Sequence, residues 1–215
     1  MSLYLRLITT PEDNAIAKMI VERYHSYKPT YRVIGRRVNW LIERDGTKNL
    51  HGKVIGMIGI ASAPLFLPRC FIDFLGIGNE YDGVSLHWIN MNHMAANWRF
   101  ALTDDAHPNE ASQTLALLVK VAPKEWERKY GDPLHLIITL IGAGKNGASY
   151  RAANWLHIGQ TSGDAMHANS LRGYKITGAR TRAVEHWKRT HNDVGQSKMI
   201  FVKPLTADWK HALLK

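Results

Sequence analysis

The decisive stretch of this chain is LHLIITLI (134–141), followed after a small-residue turn by NGASYRAANWLHIGQTSG (146–163). The first run is almost continuously apolar and of strand length, the pattern of a strand covered on both faces. The second opens on Gly147 and carries Tyr150, Arg151 and Asn154 across one short helix. It then passes through Trp155 into a further strand, LHIGQ.

Working outward, HWINMNHMAANWRFAL (87–102) reads as a long strand carrying His87, His93 and Arg99, with a bulge expected in its ambiguous middle. PNEASQTLALLVKV (108–121) reads as an amphipathic helix with Asn109 as N-cap and Ala111, Leu115 and Leu118 on its apolar face. Pro123 is expected to end that helix and open a second one, PKEWERKY, closed by Gly131 and Pro133.

Further upstream, MSLYLRLI reads as a first strand, and TTPEDNAIAKMIVERYHS as a helix with Thr and Pro at its start and acids in its first turn. RRVNWLIER and KVIGMIGIAS form a hairpin across DGTKNLHG. In LFLPRCFIDFLGIGNEYDG, Pro68 within the run and Pro64 just before it argue against a long regular element. Downstream, KMIFVKPL is a last strand and TADWKHALLK a short tail. The alternation of strands and helices indicates one mixed α/β domain over residues 1–215, a mixed central sheet flanked by helices, with a basic insertion at about 164–197.

The net charge of +10 points to a polyanionic partner, nucleic acid first and an acidic membrane surface second. Residues 172–191 hold Arg172, Lys175, Arg180, Arg182, Lys188 and Arg189 against one acid, Glu185, with Trp187 among them. Such a segment suits the DNA backbone, with Trp187 able to stack on a base; the plain alternative is a solvated basic loop. Cys70 is the single cysteine, so no intrachain disulfide forms and the chain reads as intracellular. No signal peptide or membrane span is read from the sequence.

The order from residue 84 onward resembles the second half of the GNAT acyltransferase fold, whose short helix carries a Tyr-x-x-x-Gly-Phe pattern. YRAANW (150–155) matches it with Asn154 for Gly and Trp155 for Phe. More specifically, NWRF (97–100), the helix after PNEAS, SYRAANWLHIGQTSG and the early YHS resemble the phage Mom DNA-modification proteins, a divergent GNAT group. That resemblance implies modification of adenine N6 in double-stranded DNA by a carbamoylmethyl-type or acyl group from acetyl-CoA or a related CoA thioester, protecting DNA from restriction. It implies a phage or mobile-element protein working in the bacterial cytoplasm, and it makes iron thinkable, with His87 and His93 as weak metal candidates.

The resemblance makes Tyr150 the general acid for a departing thiolate, His25 a candidate base, and Arg99 an anion clamp in the catalytic cleft. Cofactor contacts are expected from Asn109, Ser112, Arg151 and Asn154. Each has a plainer reading: core packing for the Tyr150 ring, a helix cap for His25 and Asn109, local pairing for the arginines. Two departures stand out. LTDDAHPNEASQ replaces the Gly-rich signature between strand and helix, and LIGAG stands where related families place an acid, leaving Asp104 and Asp105 as the nearest substitutes. The competing readings are a DNA-binding accessory module of a mobile element or defence system on a degenerate GNAT fold, and an enzyme acting on a small amine or a protein.

Overall fold

The computed structural model describes residues 2–25, 31, 35–46, 53–63, 67–77, 89–142, 144–161 and 197–214. Its elements are β1 (Leu3–Leu7), α1 (Pro11–Tyr24), β2 (Arg37–Arg44), β3 (Val54–Ser62), α2 (Arg69–Leu75), β4 (Met94–Leu102), α3 (Glu110–Tyr130), β5 (Leu136–Ile141), α4 (Ala148–Ala152), β6 (Leu156–Gln160), β7 (Met199–Pro204) and α5 (Trp209–Leu213).

The seven strands form one sheet in the order β1-β2-β3-β4-β5-β7-β6. Every neighbouring pair is antiparallel except β4 and β5, which are parallel. A parallel pair requires a crossover, and α3 supplies it. The sheet is therefore mixed and flanked by helices, as the alternation in the sequence implies.

Helices cover both faces, which accounts for the apolar continuity of β5. Ile137 packs with Leu115, Leu118 and Trp126 of α3, whereas its neighbours Leu136 and Ile138 pack with Phe71, Ile72 and Leu75 of α2. The same alternation sends Leu41 of β2 toward α1 and Trp40 and Ile42 toward α3. α1 starts as its sequence dictates, with the Thr10 side chain accepting from the Asp13 amide and Pro11 at the first helical position.

Two expectations need correction. Pro123 does not divide α3, which runs unbroken from Glu110 to Tyr130. An internal proline costs about 3 kcal/mol, and the buried stripe of Leu115, Leu118, Ala122 and Trp126 on either side of it offsets that cost. The strand ahead of α3 begins only at Met94; His93 belongs to a preceding 3-10 turn and bonds the Ala212 carbonyl, while His87 lies outside the described residues. In the proline-bearing segment the described residues form one short element, the seven-residue α2, which starts just after Pro68.

Among the described residues, no helix is long and apolar enough to cross a membrane. The basic segment, with Arg172, Lys175, Arg180, Arg182, Trp187, Lys188 and Arg189, lies outside the described residues.

Candidate active site

β4 and β5 pair only from Met94–Ala96 to Leu136–Ile138. Beyond that point β4 continues along β3 to Leu102 and β5 continues along β7 to Ile141, so the two strands part. Among the described residues their facing edges have no strand partner, and the fork opens into a cleft of about 510 Å³. Gly142, the residues from Lys145 to Tyr150, His25 at the C-cap of α1 and Ser62 at the end of β3 complete its walls.

The expected bulge falls on β4. Gly59 pairs with Arg99 and Ile60 with Asn97, leaving Trp98 as the extra residue. The Trp98 indole donates to Asn39 Oδ1 at 3.1 Å. Taking a residue out of register disturbs the ladder locally, and the Asn97 side chain repairs it. Asn97 Nδ2 donates to the carbonyls of Gly59 (2.9 Å) and Arg99 (3.2 Å). Asn97 Oδ1 in turn accepts from the Tyr150 hydroxyl at 2.7 Å.

Tyr150 is held by ring contacts as well. Trp155 meets it edge-on at 5.1 Å, and Phe201 lies 5.7 Å away. Burial pushes the phenol up to about 12, against the smaller opposing effect of the Thr139 hydroxyl. Tyr150 is thus a fully protonated phenol at neutral pH. His25 shows the reverse: burial, and after it the positive charge of Arg99, lowers its imidazole to about 4. It is neutral at pH 7, with a free lone pair of lowered basicity.

Arg99 stacks its guanidinium 4.7 Å from the Trp98 ring centroid and donates to the Trp98 carbonyl at 2.7 Å. All three expected catalytic residues, Tyr150, His25 and Arg99, therefore line one cleft. Lys145 is the other strongly basic side chain on its wall, and no Asp or Glu lines it among the described residues. Asp104 and Asp105 are exposed in the turn after β4 and are not part of the lining.

The four expected cofactor contacts fall outside that lining. Asn109 occupies the N-cap of α3 with φ 71°, and its side chain makes no capping bond. Ser112 bonds back to the Asn109 carbonyl at 2.9 Å. Glu110, the first residue of α3, turns its buried carboxylate back to accept from the His107 amide at 2.7 Å and pairs with Arg44. Arg151 is exposed, donating to the Asn146 carbonyl and lying 5.3 Å over Phe201. Asn154 has φ 58°, which explains why a Gly or Asn belongs there, and its carbonyl accepts from Lys203 at 3.0 Å.

Asn97, Thr139, Lys145 and Ser62 are cleft residues that sequence reasoning missed. A polar Asn beside Trp98 on a strand, and a Thr inside an apolar run, are the signals that mark the first two. For iron, no group of three His, Cys, Asp or Glu side chains among the described residues could hold a metal ion, so these residues do not fit such a centre. His93 and His135 do approach, with ring centroids 5.3 Å apart, but their polar partners are Asn90, Ala212 and Thr206.

No protein-family model matches the chain, and no curated protein matches it. Solved structures do. An aminoglycoside acetyltransferase AAC(6')-Ib solved with coenzyme A aligns at TM-score 0.51 and 13% identity, covering 94% of this chain and 95% of that one. A spermidine N-acetyltransferase chimera of Vibrio cholerae SpeG and hSSAT aligns at TM-score 0.54 and 7% identity, over 98% and 99%. An N-acetyltransferase from Staphylococcus aureus aligns at TM-score 0.51 and 9% identity, over 95% and 99%. Such similarity across nearly the whole length identifies the fold: this chain has the single-domain GNAT acetyltransferase fold.

Proposed function

We propose that the chain is a GNAT-fold transferase that moves a CoA-borne group onto adenine N6 in DNA, as its resemblance to the phage Mom proteins implies. The observation that carries this reading is the convergence of a neutral imidazole, His25, and a protonated phenol, Tyr150, on the fork between β4 and β5.

The fork suits a CoA thioester. The strand edges of Trp98–Phe100 and Thr139–Ile141 line it, offering main-chain partners for an extended, amide-bearing arm. Bound there, the thioester would supply an activated group and a thiolate leaving group. Arg151 and Asn154 of the α4 turn, and Asn109 and Ser112 at the start of α3, remain the candidates for its phosphates.

His25 takes a proton from the attacking amine, which matters for an exocyclic amine whose lone pair is delocalised into its ring. Tyr150 Oη holds a proton available to the departing sulfur. Two of the similar structures are an aminoglycoside acetyltransferase and a spermidine N-acetyltransferase. A wall carrying Arg99 and Lys145, with no carboxylate among its described residues, favours an acceptor borne on a polyanion instead. The charge of +10 and the basic segment 172–191 supply the remaining DNA contacts.

The second reading is a DNA-binding accessory module, and it is favoured by the Glu110 carboxylate at the α3 N-terminus, where a phosphate would otherwise dock. Thermal-shift titration with acetyl-CoA separates the two. A transferase is stabilised by the thioester, whereas an accessory module gains stability from DNA alone.

A further inference from the structure

The bulge on β4 places the Asn97 side chain against Tyr150, and this settles which way the hydrogen of Tyr150 points. Resting on Tyr150 as the proton donor of the cleft, we infer that Asn97 is its positioning residue, holding the phenol hydrogen on its Oδ1 until another acceptor competes for it.

A carboxamide has two N–H donors and one carbonyl acceptor. Asn97 spends its donors on the carbonyls of Gly59 and Arg99, both of which can only accept. Reversing the amide would turn Oδ1 against two carbonyl oxygens, and Asn97 is only 8% exposed, so water cannot relieve that clash. Its remaining atom, Oδ1, accepts, and the hydrogen in the 2.7 Å contact belongs to Tyr150.

For the phenol, the hydrogen is engaged by Asn97 at rest, and delivering the proton elsewhere means rotating off Asn97. As an acceptor, Asn97 favours the neutral phenol over the phenolate. Thr139, on the other prong of the fork, donates its hydroxyl to the Asn97 carbonyl at 3.4 Å and so supports the backbone that carries this acceptor.

The test is an absorbance titration of the full chain carrying 3,5-difluorotyrosine at position 150, whose phenol ionises close to neutral pH. At a fixed pH, Asn97→Ala is expected to raise the phenolate-to-phenol ratio about tenfold, the worth of one hydrogen bond. Thr139→Val, which removes a bond to the Asn97 backbone but keeps the Asn97 acceptor, is expected to change it far less. The other charged and titratable groups on the cleft, His25, Arg99 and Lys145, are the same in both variants. Loosening of the cleft alone would give both variants the same shift. If Asn97→Ala fails to fold, Asn97→Val keeps strand propensity and side-chain bulk while losing the acceptor. An unchanged ratio in the Asn97 variant, or a shift toward the phenol, overturns the inference. The readout needs neither cofactor nor DNA, so its failure is distinct from failure of the proposed transferase activity.

Discussion

Gly59 and Trp98 pack so closely that a Cβ on Gly59 would lie 2.6 Å from the Trp98 indole nitrogen and would also strike Asn39 Oδ1. The bulge therefore depends on this glycine for space. Gly59→Ala is expected to cost about 1–3 kcal/mol in urea unfolding, as overpacking does. It should also lower transferase activity, because the displaced Trp98 carries Asn97 and Arg99 with it. Wild-type activity in Gly59→Ala would show that the bulge does not set the site.

Removing the phenol oxygen tests the acid directly. Tyr150→Phe is expected to keep the fold, losing about 1–2 kcal/mol from one hydrogen bond and an unpaired Asn97 Oδ1. Turnover should fall about 10²–10⁴-fold, the usual worth of general acid catalysis. Circular dichroism and steady-state rates on the same preparations separate the two effects.

His25 should make both stability and rate depend on pH on the acid side. Its folded-state value, about 4, lies below the ordinary 6.5, so the unfolded chain binds the proton more readily. The associated stability is complete above pH 6.5 and is lost as pH falls toward 4, on the order of 3 kcal/mol in all. Denaturant midpoints for the wild type and His25→Gln should converge across that window. The acid limb of the rate profile should lie near pH 4 to 5, and Arg99→Met should move it upward by removing the second cause of the shift.

In a buried ion pair, Arg44 Nη1 donates to both carboxylate oxygens of Glu110, at 3.0 and 3.1 Å, and ties the end of β2 to the start of α3. Arg44→Met leaves the Glu110 carboxylate buried without its cation and is expected to cost about 3–5 kcal/mol. Replacing both partners with apolar residues should recover much of that loss. Urea unfolding of the two single variants and the double variant measures the coupling.

Local signals in the sequence were enough for most of the elements. Thr10 and Pro11 start α1, the hairpin follows its Asp-Gly turn, and the unbroken apolar run of β5 marks a strand sandwiched between layers. The resemblance singled out Tyr150, His25 and Arg99, and the fold brings all three to one cleft although 125 positions separate the outer two. The fork between β4 and β5 was not legible, because where a parallel pair stops pairing is decided by tertiary packing. Asn97 was missed for the same reason: its importance comes from a bulge whose location is fixed by Gly59 on another strand. Pro123 misled because its local cost is plain in the sequence while the compensating burial of Trp126 is not.

The central proposal is that this cleft modifies adenine in DNA with Tyr150 as acid. It is tested most directly by mass spectrometry of nucleosides from DNA co-expressed with the wild type and with Tyr150→Phe. The expected result is a deoxyadenosine of increased mass with the wild type and a large loss of that product with the variant. Unmodified deoxyadenosine with the wild type, or equal product from both proteins, would contradict it.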